Sequence, residues 1–484
     1  MSTSHLEKYE PVIGLEVHVQ LATQTKIFAS SSAQFGLAPN GATDPVVLGL
    51  PGSLPVLNKT AVQMAVRLGL AVGGHIRPVS RFSRKHYFYP DSPKGYQISQ
   101  FDEPYCEGGV VRFRFNGVNH SVPLTRIHME EDAGKNIHGD GGVSWVDFNR
   151  AGVPLCEVVS EPALRSSDEA AEYLRALRML IRYLGISDGN MEEGSMRCDA
   201  NVSIRLRGAT KLGTRAELKN INSFKNVKEA IDNEIRRQAG ILDRGEVVVQ
   251  ETRLWDAEKG RSQSMRSKEE AHDYRYFPEP DLPPLHVDEA WRTAALASLP
   301  ELPEQRFARY TTELGLSPQD AGVLINEREI SDYFDAVIGK SPAQGVGKKA
   351  ANWVVNEVLA RVADPRALGE PELPVPPDAL SELMGLIESG TLSGKLAKEV
   401  FGRMWTESRR AGDIVAKESV AQVSDESVIE AACKQAIEAN PKEAERYRAG
   451  DKKLVGFFVG QVMKMTDGKA NPKSVNQILA KLLS

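Results

Sequence analysis

The segment Val12-Ile-Gly-Leu-Glu-Val-His-Val-Gln-Leu21 alternates strictly between two kinds of side chain. Successive side chains of a β-strand point to opposite faces, so this period of two predicts a half-buried strand. The apolar face comprises Ile13, Leu15, Val17, Val19 and Leu21. Glu16 and His18 lie two residues apart and therefore belong to the same polar face.

The same alternation returns at residues 199–206, where Asp199 and Asn201 share the polar face. Two helices are predicted in the same part of the chain, over residues 168–184 and 227–242. Ser166 or Ser167 is a suitable N-cap for the first. Short strands punctuated by Gly and Pro predict a largely antiparallel α+β domain rather than a doubly wound sheet.

The composition changes at Pro278-Glu-Pro-Asp-Leu-Pro-Pro284, where four of seven residues are proline. Such a segment cannot be helical and does not suit a central strand, so a linker is predicted there. The pattern beyond it is helical to residue 405, with a proline-rich interruption at 365–377. For the 484 residues we predict an α+β domain over 1–292, a helical domain over 293–405 and a small helical tail domain over 406–484.

The net charge of -5 means that the whole protein does not attract nucleic acid, so a polyanion would need a local basic patch. Residues 440–484 supply one, with nine Lys or Arg against four acidic residues. This excess suits RNA phosphates, although a solvated helix face explains it equally well.

The four cysteines, Cys106, Cys156, Cys198 and Cys433, are far apart and form no CxxC pair. Reduced thiols are therefore expected rather than disulfides or a zinc ribbon. The chain has no apolar run approaching the ~20 residues that cross a bilayer, and no leader sequence is recognisable at its N-terminus. We expect a cytoplasmic protein that does not enter membranes.

Acidic residues cluster in His128-Met-Glu-Glu-Asp-Ala-Gly-Lys135. Adjacent carboxylates raise one another's pKa, so a bound cation would stabilise them; a solvated acidic turn is the alternative.

Glu157 lies in an apolar strand and needs a partner, which a metal or an Arg would provide. Asn149 and Arg150 precede Gly152 in a predicted tight turn that would present a guanidinium to phosphate or carboxylate, unless Arg150 pairs structurally with a glutamate.

Lys85 lies in Arg84-Lys-His-Tyr-Phe-Tyr-Pro-Asp-Ser-Pro-Lys94. Basic and aromatic residues interleaved in this way can bind phosphates and stack bases, or form an ordinary aromatic core. Glu217 and Lys219 project together if their segment is a strand, which indicates either a magnesium and phosphate site or a solvated polar face.

The chain has no GxxxxGK[ST] loop, so any ATP would bind in an atypical acidic site. It also has no glutaminase nucleophile motif, so any ammonia would come from elsewhere.

Together these segments resemble the B subunit of the glutamyl-tRNA(Gln)/aspartyl-tRNA(Asn) amidotransferase, and the resemblance covers essentially the whole chain. The matching motifs, in order, include Val12-Ile-Gly-Leu-Glu-Val-His18, Lys85-His-Tyr-Phe-Tyr-Pro-Asp91, His128-Met-Glu-Glu-Asp-Ala-Gly-Lys135, Glu217-Leu-Lys-Asn-Ile-Asn-Ser-Phe224 and Asp273-Tyr-Arg-Tyr-Phe-Pro-Glu-Pro-Asp-Leu-Pro283.

The resemblance implies a cradle-shaped catalytic domain, a helical domain and a tail domain that contacts tRNA. It implies a heterotrimer in which the A subunit is an amidase (glutaminase) and the C subunit is a small third member. ATP would phosphorylate the side-chain carboxylate of Glu or Asp on mischarged tRNA(Gln) or tRNA(Asn), and ammonia from glutamine would then form the amide.

The resemblance also implies particular site residues. It places a Mg²⁺ site at Glu16, His18, Glu131 and Glu157, with Lys85 near the ATP phosphates. Further candidates for the metal's water shell, for ATP or for the aminoacyl end are Glu130, Asn149, Arg150, Asp199, Glu217 and Lys219, of which Arg150 and Lys219 would join Lys85 in binding ATP. The choice between Glu130 and Glu131 stays open, because strand alternation slips near a turn.

Two other functions fit parts of the sequence. A tRNA-docking scaffold would explain the basic tail, but it would not place acidic residues beside a phosphodiester backbone. A free-standing metallohydrolase would explain the acidic residues but neither the tail nor the full-length resemblance.

Overall fold

The computed structural model describes residues 7–265, 274–339, 345–418, 426–466, 470 and 472–483. The chain divides into two units, Met1–Arg306 and Phe307–Ser484. The first carries the described strands and the second is mainly helical, which confirms the predicted α+β class with a helical C-terminal region. The division into three domains at residues 292 and 405 stays a prediction.

The strands are short except for three that cross the middle of the sheet. In chain order they are β1 Tyr9–Gln20, β2 His75–Ile76, β3 Val79–Ser80, β4 Ser83–His86, β5 Tyr96–Ser99, β6 Cys106–Glu107, β7 Val110–Phe115, β8 Val118–Glu131, β9 Lys135–His138, β10 Ser144–Asp147, β11 Pro154–Ser160, β12 Met196–Leu206, β13 Ala216–Ile221, β14 Glu251–Asp256, β15 Arg261–Ser264, β16 Phe277–Pro278 and β17 Leu285–His286.

Ten of the described strands form one sheet in the order β15-β14-β13-β12-β1-β11-β8-β6-β2, with β7 also paired to β8. Its pairs are antiparallel except β13 with β14, which are parallel. The predicted strands at 12–21 and 199–206 are confirmed as the neighbouring strands β1 and β12. A separate small sheet in the order β16-β4-β5 holds Lys85.

The described helices of the first unit include the two that were predicted. They are α1 Pro45–Leu48, α2 Lys59–Ala71, α3 Ser167–Tyr183, α4 Phe224–Asp243 and α5 Glu289–Ala297. Ser166 caps α3 by accepting a hydrogen bond from the backbone N–H of Glu169. The apolar side chains of α3 and α4 join Ile13, Leu15 and Val17 in one buried core. Since that core covers one face of β1, Glu16 and His18 belong to the other face.

The prediction of a linker at residues 278–284 is wrong, because this segment belongs to the first unit. Pro278 pairs with Ser83 in the short strand β16, and Glu279 donates its backbone N–H to the carbonyl of Phe82. The buried carboxylate of Glu279 accepts two hydrogen bonds, of 2.8 and 2.9 Å, from Arg84. Proline is tolerated here because the strand lies at the edge of its sheet, where no neighbour needs its missing N–H.

The second unit is built from helices, as predicted. They are α6 Pro303–Thr312 (which begins in the first unit), α7 Pro318–Ile325, α8 Arg328–Ile338, α9 Val346–Trp353, α10 Pro377–Glu388, α11 Gly394–Glu407, α12 Ala411–Glu418, α13 Glu426–Ala439, α14 Pro441–Arg448, α15 Val455–Met465 and α16 Pro472–Leu483. The predicted interruption at 365–377 is confirmed as a 3-10 turn and loop before α10. The last helices share a buried core that includes Cys433, Phe458 and Leu479. None of the helices in the described part of the chain combines the length and apolar character needed to span a membrane.

Candidate functional site

Polar side chains from neighbouring strands meet on the face of the sheet opposite the core. Directly opposed residues in an antiparallel pair share a face, so the register shows which side chains come together. His18 of β1 lies opposite Glu157 of β11, and Glu157 lies opposite His128 of β8. On the other side of β1, Glu16 lies opposite Asp199 of β12.

His18, Glu130 and Glu157 form the centre of this face. One ligand atom from each lies within 4.8 Å of those of the other two. His18 Nε2 is 3.4 Å from Glu157 Oε2 and 3.8 Å from Glu130 Oε1. Glu130 is only 3% exposed, so the alternative of a solvated acidic turn does not describe it, and Glu157 is 7% exposed.

His128 completes the group, although it is not among the predicted site residues. Its Nε2 lies 3.3 Å from Glu157 Oε2 and 3.8 Å from Glu130 Oε2. Ser99, also unassigned, donates its hydroxyl to Glu130 Oε2 at 3.0 Å. The spacing of His128 and Glu130, two residues apart on one strand, was the available signal for His128; no signal in the sequence pointed to Ser99.

Charge balance in this buried group rests on neighbouring cations. Burial opposes ionisation of Glu130, but the charge of Lys85 and the contact with His128 lower its pKa to about 2. His128 and His18 likewise hold the pKa of Glu157 well below its usual range despite burial. Burial opposes protonation of His128, yet the carboxylate of Glu157 raises the pKa of that imidazole to about 9.

Lys85 lies at the edge of the group. Burial lowers its pKa, but the carboxylates of Glu130 and Glu157 more than offset this and raise it above the ordinary value. Its Nζ is 5.1 Å from the centre of the Tyr274 ring. Lys85 is therefore a cation held between carboxylates and an aromatic ring, where it can meet a phosphate.

A second polar group adjoins the first through Glu16. Glu16 accepts a hydrogen bond of 2.8 Å from Asn201, and burial together with the charge of Glu157 raises its pKa. Lys219 lies 2.5 Å from Asp199 and 2.9 Å from Glu217. The predicted pairs Asp199 with Asn201 and Glu217 with Lys219 thus contribute to the same face of the sheet as Glu16.

Glu131 lies apart from these residues. Its Oε1 contacts Lys94 Nζ at 2.5 Å and accepts the backbone N–H of Ile98 at 2.7 Å. Neighbouring side chains of a strand point to opposite faces, so Glu130 and Glu131 cannot both reach His18. The structure brings Glu130 to the site where the resemblance implied Glu131.

Asn149 and Arg150 are also outside the group. Asn149 accepts the N–H of Ala42 and donates to the carbonyl of Ala38. Arg150 donates to the carbonyls of Ala133 and Gly134, at 2.9 and 2.7 Å. Their side chains hold loops together, and their roles toward the metal's water shell, ATP or the aminoacyl end stay predictions.

The central residues fit a small divalent cation. A cation with ligand distances of about 2.0–2.6 Å can touch three atoms that lie up to ~4–5 Å apart, which is the spacing of His18, Glu130 and Glu157. Carboxylate oxygens are the ligands that Mg²⁺ prefers, while the imidazole would also suit Mn²⁺ or Zn²⁺. The donor set therefore admits Mg²⁺ without selecting it alone.

Comparison with known proteins agrees with this geometry. Residues 11–293 match the family model described as the GatB/GatE catalytic domain, and residues 332–483 match the model described as the GatB domain. All the residues of the central group fall in the first match.

Three curated relatives match almost end to end, and each is named as the B subunit of an aspartyl/glutamyl-tRNA(Asn/Gln) amidotransferase. The protein of Syntrophotalea carbinolica is 54% identical over 99% of both chains. That of Thermodesulfovibrio yellowstonii is 52% identical over 98% of this chain and 99% of its own. That of Chlorobium chlorochromatii is 52% identical over the same shares. This chain therefore belongs to the family of aspartyl/glutamyl-tRNA(Asn/Gln) amidotransferase B subunits.

Proposed function

We propose that this chain supplies the site at which an aminoacyl-tRNA amidotransferase activates a carboxylate. With ATP and Mg²⁺ it phosphorylates the side chain of Glu or Asp on mischarged tRNA(Gln) or tRNA(Asn), and ammonia converts the product to Gln-tRNA(Gln) or Asn-tRNA(Asn). The chain acts in the cytoplasm within a heterotrimer. The A subunit is the amidase that releases ammonia from glutamine, and the C subunit is the small third member.

The observation that carries this proposal is the group formed by His18 and the buried carboxylates of Glu130 and Glu157 beside Lys85. A carboxylate is a poor acyl donor because its leaving group would be oxide. Its oxygen therefore attacks the γ-phosphorus of ATP, which gives an acyl phosphate and ADP. Ammonia then attacks the acyl carbon, phosphate leaves, and the nitrogen loses a proton.

The residues of the site have distinct tasks in this chemistry. His18, Glu130 and Glu157 would hold the cation, which when bound neutralises charge on the transferring phosphoryl group. His128 and Ser99 keep the two carboxylates in position. Lys85 binds phosphate oxygens by its charge. Glu16, Asp199, Glu217 and Lys219 would contact metal-bound water, ATP or the aminoacyl end.

Buried carboxylates argue against a pure tRNA scaffold, because they would repel a phosphate backbone and contribute nothing to docking. Binding of tRNA falls instead to the tail domain proposed for residues 406–484, where residues 440–484 carry nine Lys or Arg against four acidic residues.

Replacement of Lys85 by Met tests the proposal. In the assembled complex, with ammonium chloride in place of glutamine, we expect amide formation to fall ~10²–10³-fold, because a charge that stabilises the transferring phosphoryl group is lost. Glutamine hydrolysis by the amidase and binding of tRNA should both persist. Lys59→Met, at the exposed start of α2, is the matched control. Wild-type amide formation by Lys85→Met would refute this role.

A further inference from the structure

Arg197 of β12 lies on the same face of the sheet as the central group. It stands directly opposite His18 in the antiparallel pair of β12 with β1, and directly opposed residues share a face. Burial lowers the pKa of Arg197, but the charges of Asp132, Glu130 and Asp199 more than offset this and raise it above its ordinary value. A charged guanidinium therefore lies beside the proposed cation site.

One side of this guanidinium is anchored. Arg197 Nη2 donates to Asp132 Oδ2 at 2.7 Å. Asp132 is buried, and Gln20 of β1 donates to the same oxygen, also at 2.7 Å. The anchor joins β12 and β1 to the residue that follows β8. It thus fixes Arg197 relative to the strands that carry His18 and Glu130.

The anchor uses only part of the guanidinium's capacity. A guanidinium has five N–H groups. Arg197 Nε is buried, yet it has no hydrogen-bond partner among the residues that the structure describes. A buried donor without an acceptor is costly, so a ligand that accepts from it would be stabilised there. The side chain as a whole is 33% exposed, which leaves it open to such a ligand.

The proposed reaction brings two anions together, the carboxylate of the substrate and the γ-phosphate of ATP. Like charges repel, so each anion needs a positive partner. Lys85 faces the carboxylates of Glu130 and Glu157 from β4 in the small sheet, whereas Arg197 comes from β12 of the large sheet. The flat fork of an arginine matches the two oxygens of a carboxylate, while a lysine acts as a point charge.

We propose that Arg197 binds the side-chain carboxylate of the Glu or Asp that is to be activated. The role rests on the proposed function and adds to it the residue that holds the acceptor, while Lys85 meets the phosphate. The carboxylate accepts from the open side of the guanidinium, and Asp132 keeps the other side. The product carries an uncharged amide in this place, so Arg197 would bind the product less tightly and favour its release.

The test compares the affinity of the assembled complex for two forms of one tRNA, with Mg²⁺ and without ATP. Glu-tRNA(Gln) carries the carboxylate and Gln-tRNA(Gln) the amide, so the ratio of their dissociation constants isolates that group. Loss of one charge-assisted contact weakens binding roughly 10- to 150-fold. We expect Arg197→Gln to reduce the preference for Glu-tRNA(Gln) by this factor and to leave the affinity for Gln-tRNA(Gln) unchanged. Arg197→Lys keeps the charge without the fork and should fall between.

Arg205→Gln is the matched control. Arg205 lies near the other end of the same strand, where its guanidinium contacts Glu10 at 2.6 Å. The substitution therefore removes an arginine and an ion pair from β12 without touching the central group. Its ratio of dissociation constants should equal that of the wild type.

Two results would overturn this role: a wild-type ratio in Arg197→Gln, or an equal loss of affinity for both tRNAs, which a purely structural or tRNA-docking residue predicts. A raised KM for ATP with an unchanged ratio would assign Arg197 to phosphate and overturn it too. Arg197→Lys decides if Arg197→Gln does not fold, since it keeps the charge that Asp132 contacts; a wild-type ratio there would refute the role. Failure of the proposed function would appear instead as full activity of Lys85→Met, whatever the ratio.

Discussion

Glu157→Gln is expected to reduce amide formation by ~10²–10³-fold in the assembled complex, with ammonium chloride as the nitrogen donor. The substitution keeps the size of the side chain and removes the negative charge that His18 and His128 contact at 3.4 and 3.3 Å. The proposed cation would lose one of its two carboxylates. Steady-state rates with saturating ATP and Glu-tRNA measure the effect.

Glu161→Gln is the matched control for Glu157. This exposed residue lies four positions further along the chain, and its side chain accepts a hydrogen bond of 2.7 Å from Thr125. Its rate should stay near that of the wild type. Binding of tRNA should be unchanged in both variants, since neither residue lies in the tail. A Glu157→Gln enzyme as active as Glu161→Gln would remove Glu157 from the site.

Glu130→Gln and Glu131→Gln should differ strongly, although the two residues are adjacent in sequence. We expect a ~10²–10³-fold loss for Glu130→Gln, because Glu130 lies beside His18 and Lys85. Glu131→Gln breaks the buried contact with Lys94 instead, so its main effect should be on stability.

The metal dependence of the rate separates these two effects. Glu130→Gln should need more Mg²⁺ for half-maximal activity, whatever the change in its melting temperature. Glu131→Gln should show a lower melting temperature and an unchanged Mg²⁺ requirement. The reverse pattern would mean that Glu131, as the resemblance implied, is the metal ligand and that Glu130 is not.

Alternation along single strands was enough to predict which side chains share a face. It correctly paired Glu16 with His18, Asp199 with Asn201 and Glu217 with Lys219, because the strand period follows from backbone geometry alone. The same rule links His128 with Glu130. Alternation alone does not show which side chains of β8 share a face with those of β1, because β11 lies between the two strands. That choice depends on the register between the strands.

Register is set by long-range pairing, which one sequence does not reveal. The pairing of Glu157 with both His18 and His128 selects Glu130 over Glu131 and brings His128 into the group.

Arg150 shows a second limit of prediction from one sequence. Its residue type suits a phosphate, but the carbonyls of Ala133 and Gly134 accept two of its five N–H groups. The proline-rich segment at 278–284 was predicted as a linker because proline content does not tell an edge strand from a connection.

Phosphoryl transfer itself tests the central claim most directly. The assembled complex would be incubated with Glu-tRNA, Mg²⁺ and ATP labelled on the γ-phosphate, with every nitrogen donor withheld. We predict labelled phosphate on the tRNA-bound glutamate with the wild type and none with Glu157→Gln, while both bind tRNA equally. Equal labelling by the two proteins would contradict the account, because the carboxylate-activating site would then lie outside the group formed by His18, Glu130 and Glu157.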